Sequence, residues 1–358
     1  SAVVASMQAQ SGRPVKTFTI GFEEAGFSEA GHARAIAEYL GTQHHEKIVT
    51  ADDARALVPE MPRIYDEPFA DASQIPTVMI SRFAREYVSV ALSGDGGDEM
   101  LGGYNRHQLV PGLLDRLSYL PMPVRRMLAA LIMRMPPGAW DRLRPGQPGF
   151  GARLHKLASL MDCPDLAAMY HRLTAIWPVP EDVVAGASAL TPPVDDPAWQ
   201  PEDLSAAEQL MYKDAMSYLP GDILSKVDRA SMAVSLEARA PLLDHTMYEF
   251  VWSLPEDMRL HKGESKWLLR SYLRRHMPEE LFDRPKHGFT PPIDHWLRGP
   301  LREWAGDLLN HDRLQREGFF KPEVINDCWQ AHQRGERDHG AALWTATMFQ
   351  AWLDAWDI

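Results

Sequence analysis

The stretch that most constrains this chain is Val88-Ser89-Val90-Ala91-Leu92-Ser93-Gly94-Asp95-Gly96-Gly97-Asp98-Glu99-Met100-Leu101-Gly102-Gly103-Tyr104. It opens as a short apolar, β-branched run, the pattern of a buried parallel strand, and then breaks into glycines and carboxylates. A strand that ends this way has a site at its carboxyl end. Glycines let backbone N–H groups approach an anion closely, and Asp95, Asp98 and Glu99 suit a divalent cation that bridges to phosphates. A single Gly-Asp turn would be structural. The density of acids and glycines directly after a buried strand is what points to a ligand.

The residues ahead of this stretch alternate between strand and helix. Residues 1–8 read as a helix opening that Ser1 can cap and Gly12 can end. Residues 18–22 read as a strand, and 28–40 as an amphipathic helix with Ala33, Ile36, Ala37 and Leu40 on one face and Gly41 as its stop. Residues 44–50 form the next expected strand. This alternation implies right-handed crossovers and a parallel sheet, with ligands at the carboxyl ends of its strands. Asp71-Ala72-Ser73-Gln74-Ile75-Pro76 looks like a capped helix start. Its free N–H groups suit a carboxylate or phosphate, and simple capping explains them equally well.

Beyond Arg106 the alternation stops. Residues 109–120, 124–135 and 154–161 read as helices, and the apolar run 127–133 within them as a core helix. Residues 178–203, rich in Pro, Asp and Ala, read as an exposed excursion. From Ala206 the pattern is helical almost to the end, closing on an apolar stripe from Leu343-Trp344 to Trp352-Leu353 that reads as core. This half also holds the basic residues an acidic chain needs for an anionic ligand: Lys226, Arg229, Arg239, Lys262, Lys266 and Lys286.

Composition removes several functions. A net charge of -12 over 358 residues argues against nonspecific binding of nucleic acid or an anionic membrane surface, which both rely on summed positive field. The run 127–133 is far too short to span a bilayer. Cys163 and Cys328 stand far apart, so neither a disulfide framework nor a zinc site is expected, and a reducing cytoplasm fits best. His44 and His45 are adjacent, which on a strand sends them to opposite faces and gives them no shared metal.

Ser93-Gly94-Asp95-Gly96-Gly97-Asp98-Glu99, with Gly102-Gly103-Tyr104 after it, resembles the second nucleotide motif of the glutamine-hydrolysing asparagine synthetase family. Other motifs are similar to the same family in the same order. They are Glu67-Pro68-Phe69-Ala70-Asp71 with Ile75-Pro76-Thr77, Lys226 to Met232, Glu237-Ala238-Arg239-Ala240-Pro241-Leu242-Leu243-Asp244, and Arg284-Pro285-Lys286-His287-Gly288-Phe289. Together they touch most of the chain.

The resemblance implies an α/β fold of the adenine-nucleotide alpha-hydrolase (PP-loop ATP pyrophosphatase) type, with a nucleotide-binding α/β part over 1–105 and a mainly helical part over 106–358. It implies MgATP as cofactor and an acyl-adenylate of aspartate, opened by ammonia that a glutaminase domain draws from glutamine. Ile20 would hold adenine through its backbone, Ser93 and Gly94 would lie along the nucleotide, and Asp98 would hold Mg2+. Lys286, on a mobile loop reaching the same cleft, would neutralise the leaving pyrophosphate. Asp95 takes the place of the family's carboxylate near the reacting acyl centre, often a glutamate, and is shorter by one methylene. A sugar acid as acceptor, closure of a β-lactam ring, a non-catalytic binding remnant and a homodimer stay open. The family's first pyrophosphate loop, Ser-Gly-Gly-x-Asp-Ser, would end at or just before Ser1. The strand leading into it and the amino-terminal glutaminase domain would then precede this chain. The expectation is a piece of a longer enzyme that folds alone but is catalytically silent, its neighbouring strand edges and apolar surface exposed.

Overall fold

The computed structural model describes residues 1–22, 29–144, 146–147, 149–188, 192–199, 201, 203–261, 263–283 and 291–358. The chain opens with α1 (Ala2–Gln10), β1 (Lys16–Phe22), α2 (Ala30–Leu40), β2 (Gln43–Val49), α3 (Ala51–Leu57), α4 (Met61–Ile64), α5 (Gln74–Arg85) and β3 (Val90–Leu92). Gly41 ends α2 in the left-handed region at a φ of 69°, where its N–H reaches Ala37 and Glu38 carbonyls, as a glycine stop should. Ser1 precedes α1 without a side-chain cap bond, and that helix ends against Ser11 rather than Gly12. A Thr50–Asp53 capping box starts α3.

The crossover through α2 brings β1 and β2 together in parallel, Lys16 opposite Gln43 through Phe22 opposite Val49. In the second pair β3 lies parallel to β4 (Glu237–Arg239), far downstream, with Val90 opposite Glu237 and Leu92 opposite Arg239. Among the described residues the fold is thus mixed α/β with two small parallel sheets rather than one broad sheet. The run 88–92 was expected to be buried, yet Val90 and Leu92 are 41% and 40% exposed. Their strand pairs along one edge and borders a cleft with its other side.

Helices make up the rest: α6 (Gly97–Met100), α7 (Asn105–Ser118), α8 (Met122–Met133), α9 (Pro137–Leu143), α10 (Phe150–Met161), α11 (Leu166–Thr174) and α12 (Ala206–Lys213), then a wide π-helical stretch (Asp214–Leu224) that runs into α13 (Ser225–Met232). After β4 come α14 (His245–Ser253), α15 (Glu256–Arg259), α16 (Trp267–Leu273), α17 (Ile293–Arg298), α18 (Arg302–Leu308), α19 (His311–Glu317), α20 (Pro322–Gln333) and α21 (Gly340–Trp356). The core helix expected over 127–133 is instead a surface helix. Met127, Leu131 and Met133 are exposed and only Ala129 is buried there, because α8 packs one face alone against its neighbours. The excursion 178–203 holds short turns pinned by Asp195, which pairs with the buried Lys213 and with His171.

One core cluster joins Ile20, Phe22 and Val49 of the first sheet to Ile75 and Val78 of α5 and to Leu297, Leu343 and Trp344 near the carboxyl end. The closing stripe is core, as its spacing implied. A second cluster, all helical, gathers Val110, Leu117, Leu160, Met169 and Leu210. No helix among the described residues is long and apolar enough to cross a membrane.

Candidate active site

The two strand pairs border a single cleft of about 870 Å³. β1 contributes Lys16, Thr17 and Phe18, β3 all three of its residues, and α5 contributes Thr77, Ile80, Ser81 and Ala84. Ser93, Gly94 and Asp95 line it where β3 ends. The Ser93 amide donates to the Arg239 carbonyl at 2.8 Å, which ties the start of the glycine-rich turn to β4. Its hydroxyl is shielded from solvent and has no hydrogen-bond partner among the described residues. A sheltered polar atom on a cleft wall calls for a ligand group or an ordered water.

Past Ser93 the chain turns through Gly96, at a φ of 85°, where a Cβ would collide with Leu243. This is a place only glycine serves. The short α6 then presents Asp98 and Glu99. The Asp98 carboxylate faces the Lys266 ammonium at 2.9 Å. Lys266 itself sits in the left-handed region at a φ of 53°, held by its N–H on the Leu101 carbonyl at 3.0 Å. A non-glycine residue there costs energy and is kept only where its surroundings impose it. Gly103 closes the turn with its N–H on the Asp98 carbonyl at 2.7 Å, and a Cβ on it would strike both Asp98 and Lys266. Among the described residues no three His, Cys, Asp or Glu side chains converge as a ready metal site. One carboxylate completed by phosphate oxygens is still a donor set that Mg2+ accepts, so Asp98 fits that ion with a nucleotide bound.

Glu99 is 1% exposed, and burial pushes its carboxyl above the usual range although the Tyr104 hydroxyl donates to it at 2.6 Å. Tyr104 also carries the Arg106 guanidinium over its ring at 4.1 Å. Arg106 grips the fully buried Asp214 with two nitrogens at 2.7 Å each, and His107 and Tyr170 complete that carboxylate. Tyr104 and Arg106 belong to the wall of a second cleft of about 1080 Å³, which meets the first at Ser265, Lys266, Arg270 and Phe282.

A further polar group joins α5 to α13. Asp71 receives the Ser73 amide at 2.9 Å and the Ser73 hydroxyl at 2.7 Å, and pairs with the Lys226 ammonium. Burial raises its pKa, but Lys226 and Ser73 together outweigh that and hold it below the usual range. Asp222 lies beside it in the π-helical stretch. Burial and the Asp71 charge push Asp222 up to about 6. Tyr218, whose pKa burial and the Asp222 charge raise, meets Tyr104 edge-on at 5.8 Å and connects this group to the glycine-rich turn.

The sequence model for asparagine synthase matches residues 1–354. This chain belongs to the asparagine synthase family. A putative glutamine-hydrolyzing asparagine synthetase of Mycobacterium tuberculosis is 33% identical over 355 residues, 98% of this chain and 52% of that protein. Glutamine-hydrolyzing asparagine synthetase 1 of Bacillus subtilis is 28% identical over 343 residues, 94% of this chain and 52% of that protein. Amidase chyE of Penicillium rubens is 24% identical over 335 residues, 85% of this chain and 48% of that protein. The chain spans about half the length of the curated relatives it matches.

Within the asparagine synthase domain, Ser93, Gly94 and Asp95 share the first cleft, and Asp98 is among the described lining of neither cleft but pairs with Lys266, where the two meet. Ile20 lies on β1 opposite Lys47, its side chain 3% exposed and part of the core, and it is not among the residues that line either cleft. Lys286, and with it the motif 284–289, lies outside the described residues, as does Lys262. Of the other basic residues, Lys226 binds Asp71 and Lys266 binds Asp98, whereas Arg229 pairs with Asp66 and Asp228 and Arg239 with Glu237. Sequence reasoning missed the Tyr104–Glu99 and Asp71–Asp222 contacts. The Pro220-Gly221 pair inside a helical pattern was the one local sign that the second needs an irregular helix.

Proposed function

We propose that this domain is the synthetase part of an enzyme that activates aspartate with MgATP and passes it to ammonia, giving asparagine. The observation that carries this is the unpartnered Ser93 hydroxyl beside Gly94 and Asp95, next to a carboxylate–ammonium pair at Asp98 and Lys266. Such a wall suits a polyphosphate, whose oxygens accept from hydroxyl and backbone donors and whose charge needs cations nearby. The substrate carboxylate attacks the α-phosphorus and pyrophosphate leaves. Ammonia then adds to the acyl carbon of the adenylate, loses a proton, and AMP leaves.

The residues act mostly by positioning and charge neutralisation. The Ile20 backbone holds adenine, and Ser93 and Gly94 run along the nucleotide. Asp98 would hold Mg2+, which when bound would offset phosphate charge. Lys286 neutralises the pyrophosphate as it departs. Asp95 orients the incoming ammonia and takes its proton. Among the described residues one edge each of β1 and β3, bordering the first cleft, pairs with no strand and suits a further parallel one, which would bring a pyrophosphate loop to the same place. Ammonia comes from glutamine through a separate glutaminase domain, in keeping with relatives about twice this length.

The test is pyrophosphate release by the full-length protein with ATP, magnesium, glutamine and a panel of carboxylic acids. Release that depends on aspartate is expected. Release with a different acid would keep the chemistry and change the acceptor, and no acid-dependent release at all would remove the proposal.

A further inference from the structure

The net charge of -12 is unevenly spread along the chain. Between Arg106 and Lys156 there are nine arginines and lysines against two aspartates. These residues build α7 to α10, the helices gathered on the second core cluster. Within them α8 divides its faces at helical spacing. Leu128, Ala129 and Ile132 turn to that cluster, while Met127, Ala130, Leu131 and Met133 stay exposed. Met127 and Leu131 stand one turn apart at 55% and 50% exposure, and Leu143 of α9 reaches 67%. Large apolar side chains on successive turns make a patch, which scattered single ones do not. Arg126 and Arg134 flank them on α8, and Arg142 and Arg144 follow at the end of α9, all four exposed. Arg126 meets Asp162 at 2.7 Å in full contact with solvent, where such a pair is worth little. Arg144 lies over the Phe150 ring at 5.1 Å, and Arg134 and Arg142 have no ion pair among the described residues. The two helices are fixed to each other and to α10. The Trp140 indole N–H donates to the Ile132 carbonyl at 3.1 Å, the Gly151 N–H donates to the Asp141 carboxylate at 2.8 Å, and a Cβ on Gly151 would strike the Pro137 carbonyl.

From this pattern we propose that the surface formed by α8 and α9 rests on an anionic lipid bilayer, with α8 lying in the plane of the interface. A basic helix with an exposed apolar stripe suits that place. Its guanidinium groups meet lipid phosphates while Met127, Leu131 and Leu143 enter the boundary with the acyl chains. Nucleic acid would take the arginines and leave the apolar side chains in water. The summed charge of the chain disfavours an anionic surface only at a distance. Fields are screened within about 8 Å at physiological salt, so at contact the cations that face the bilayer decide. None of these arginines and apolar residues lines either cleft, so the surface is independent of the reaction assigned there.

Co-sedimentation of the full-length protein with lipid vesicles tests this, using phosphatidylcholine alone and phosphatidylcholine mixed with phosphatidylglycerol. Partitioning onto the anionic vesicles should exceed that onto the neutral ones by at least about tenfold and should fall as salt is raised. The triple variant Arg134→Gln, Arg142→Gln, Arg144→Gln should lower it by about a hundredfold, each cation near the surface being worth about fivefold. The double variant Met127→Ser, Leu131→Ser keeps every charge and should still lower it by about tenfold or more, because the apolar burial is lost. All of these side chains are exposed, so both variants should keep the parent's circular dichroism. Equal binding to the two kinds of vesicle, binding to neither, or unchanged binding by either variant overturns the proposal. Capture on immobilised polyglutamate that the arginine variant loses, without vesicle binding, gives the surface to an acidic protein and equally overturns it.

Discussion

The two clefts meet at Lys266 but are made differently. The first is a backbone construction: strand edges, a glycine-rich turn and one sheltered hydroxyl, with few charged side chains along it. The second is a side-chain construction, helices presenting cations and leucines from segments distant in the chain. A polyphosphate can be read by main-chain donors, which substitution leaves in place. A ligand read by side chains can be changed by substitution without disturbing the turn. The difference separates a wall set by backbone geometry from one set by a handful of replaceable side chains.

The sharpest break of this comparison is Asp98→Asn, which keeps the shape of the turn and removes the charge proposed to hold Mg2+. Adenylate formation in the full-length protein should fall by about three orders of magnitude or more, as lost charge stabilisation at a phosphoryl group does. Normal pyrophosphate release at limiting magnesium would take the metal role away from Asp98. Next in size is Gly103→Ala, aimed at the wall between the clefts. The new methyl collides with Asp98 and Lys266, so both ATP and acid affinities should weaken together, with a stability loss of about 1–3 kcal/mol. Loss of acid affinity alone, measured by calorimetry for each ligand, would show that the clefts are less connected than Lys266 makes them.

The smallest effect is expected at Asp222, outside both walls. Its ordinary pKa of 3.8 is raised to about 6 in the folded protein, so the folded state holds a proton that the unfolded state releases. The stability this adds is complete below the ordinary value and is lost as pH rises through about 6. Asp71, depressed, works the other way and loses its contribution on acidification below its usual range. Between about pH 5 and 7 the melting temperature should therefore fall in the parent and fall less in Asp222→Asn. Parallel curves for the two proteins, measured by calorimetry, would show that Asp222 is ionised throughout.

Local pattern carried the first sheet and the turn. Alternation over 18–22 and 44–50 anticipated β1 and β2 within a residue or two, Gly41 marked the end of α2, and the spacing of glycines and acids after Leu92 located the turn. These are short-range matters of φ preference, periodicity and chain reversal. Glu237-Ala238-Arg239 gives no strand signal of its own, and it became β4 because β3 offered it an edge. The run 127–133 is apolar enough for a core, yet only neighbours could decide that one of its faces stays in water. The same holds for the polar groups. The place of Asp98 in the glycine-rich turn was legible, but its partner Lys266, the Glu99–Tyr104 bond and the Asp71–Lys226–Asp222 group depend on where separate helices dock. What the sequence by itself determined is the turn and the elements that flank it. Tertiary packing alone decided which charges stand opposite one another, because a pairing across the molecule is fixed by the whole set of buried contacts and leaves no periodic trace along the chain.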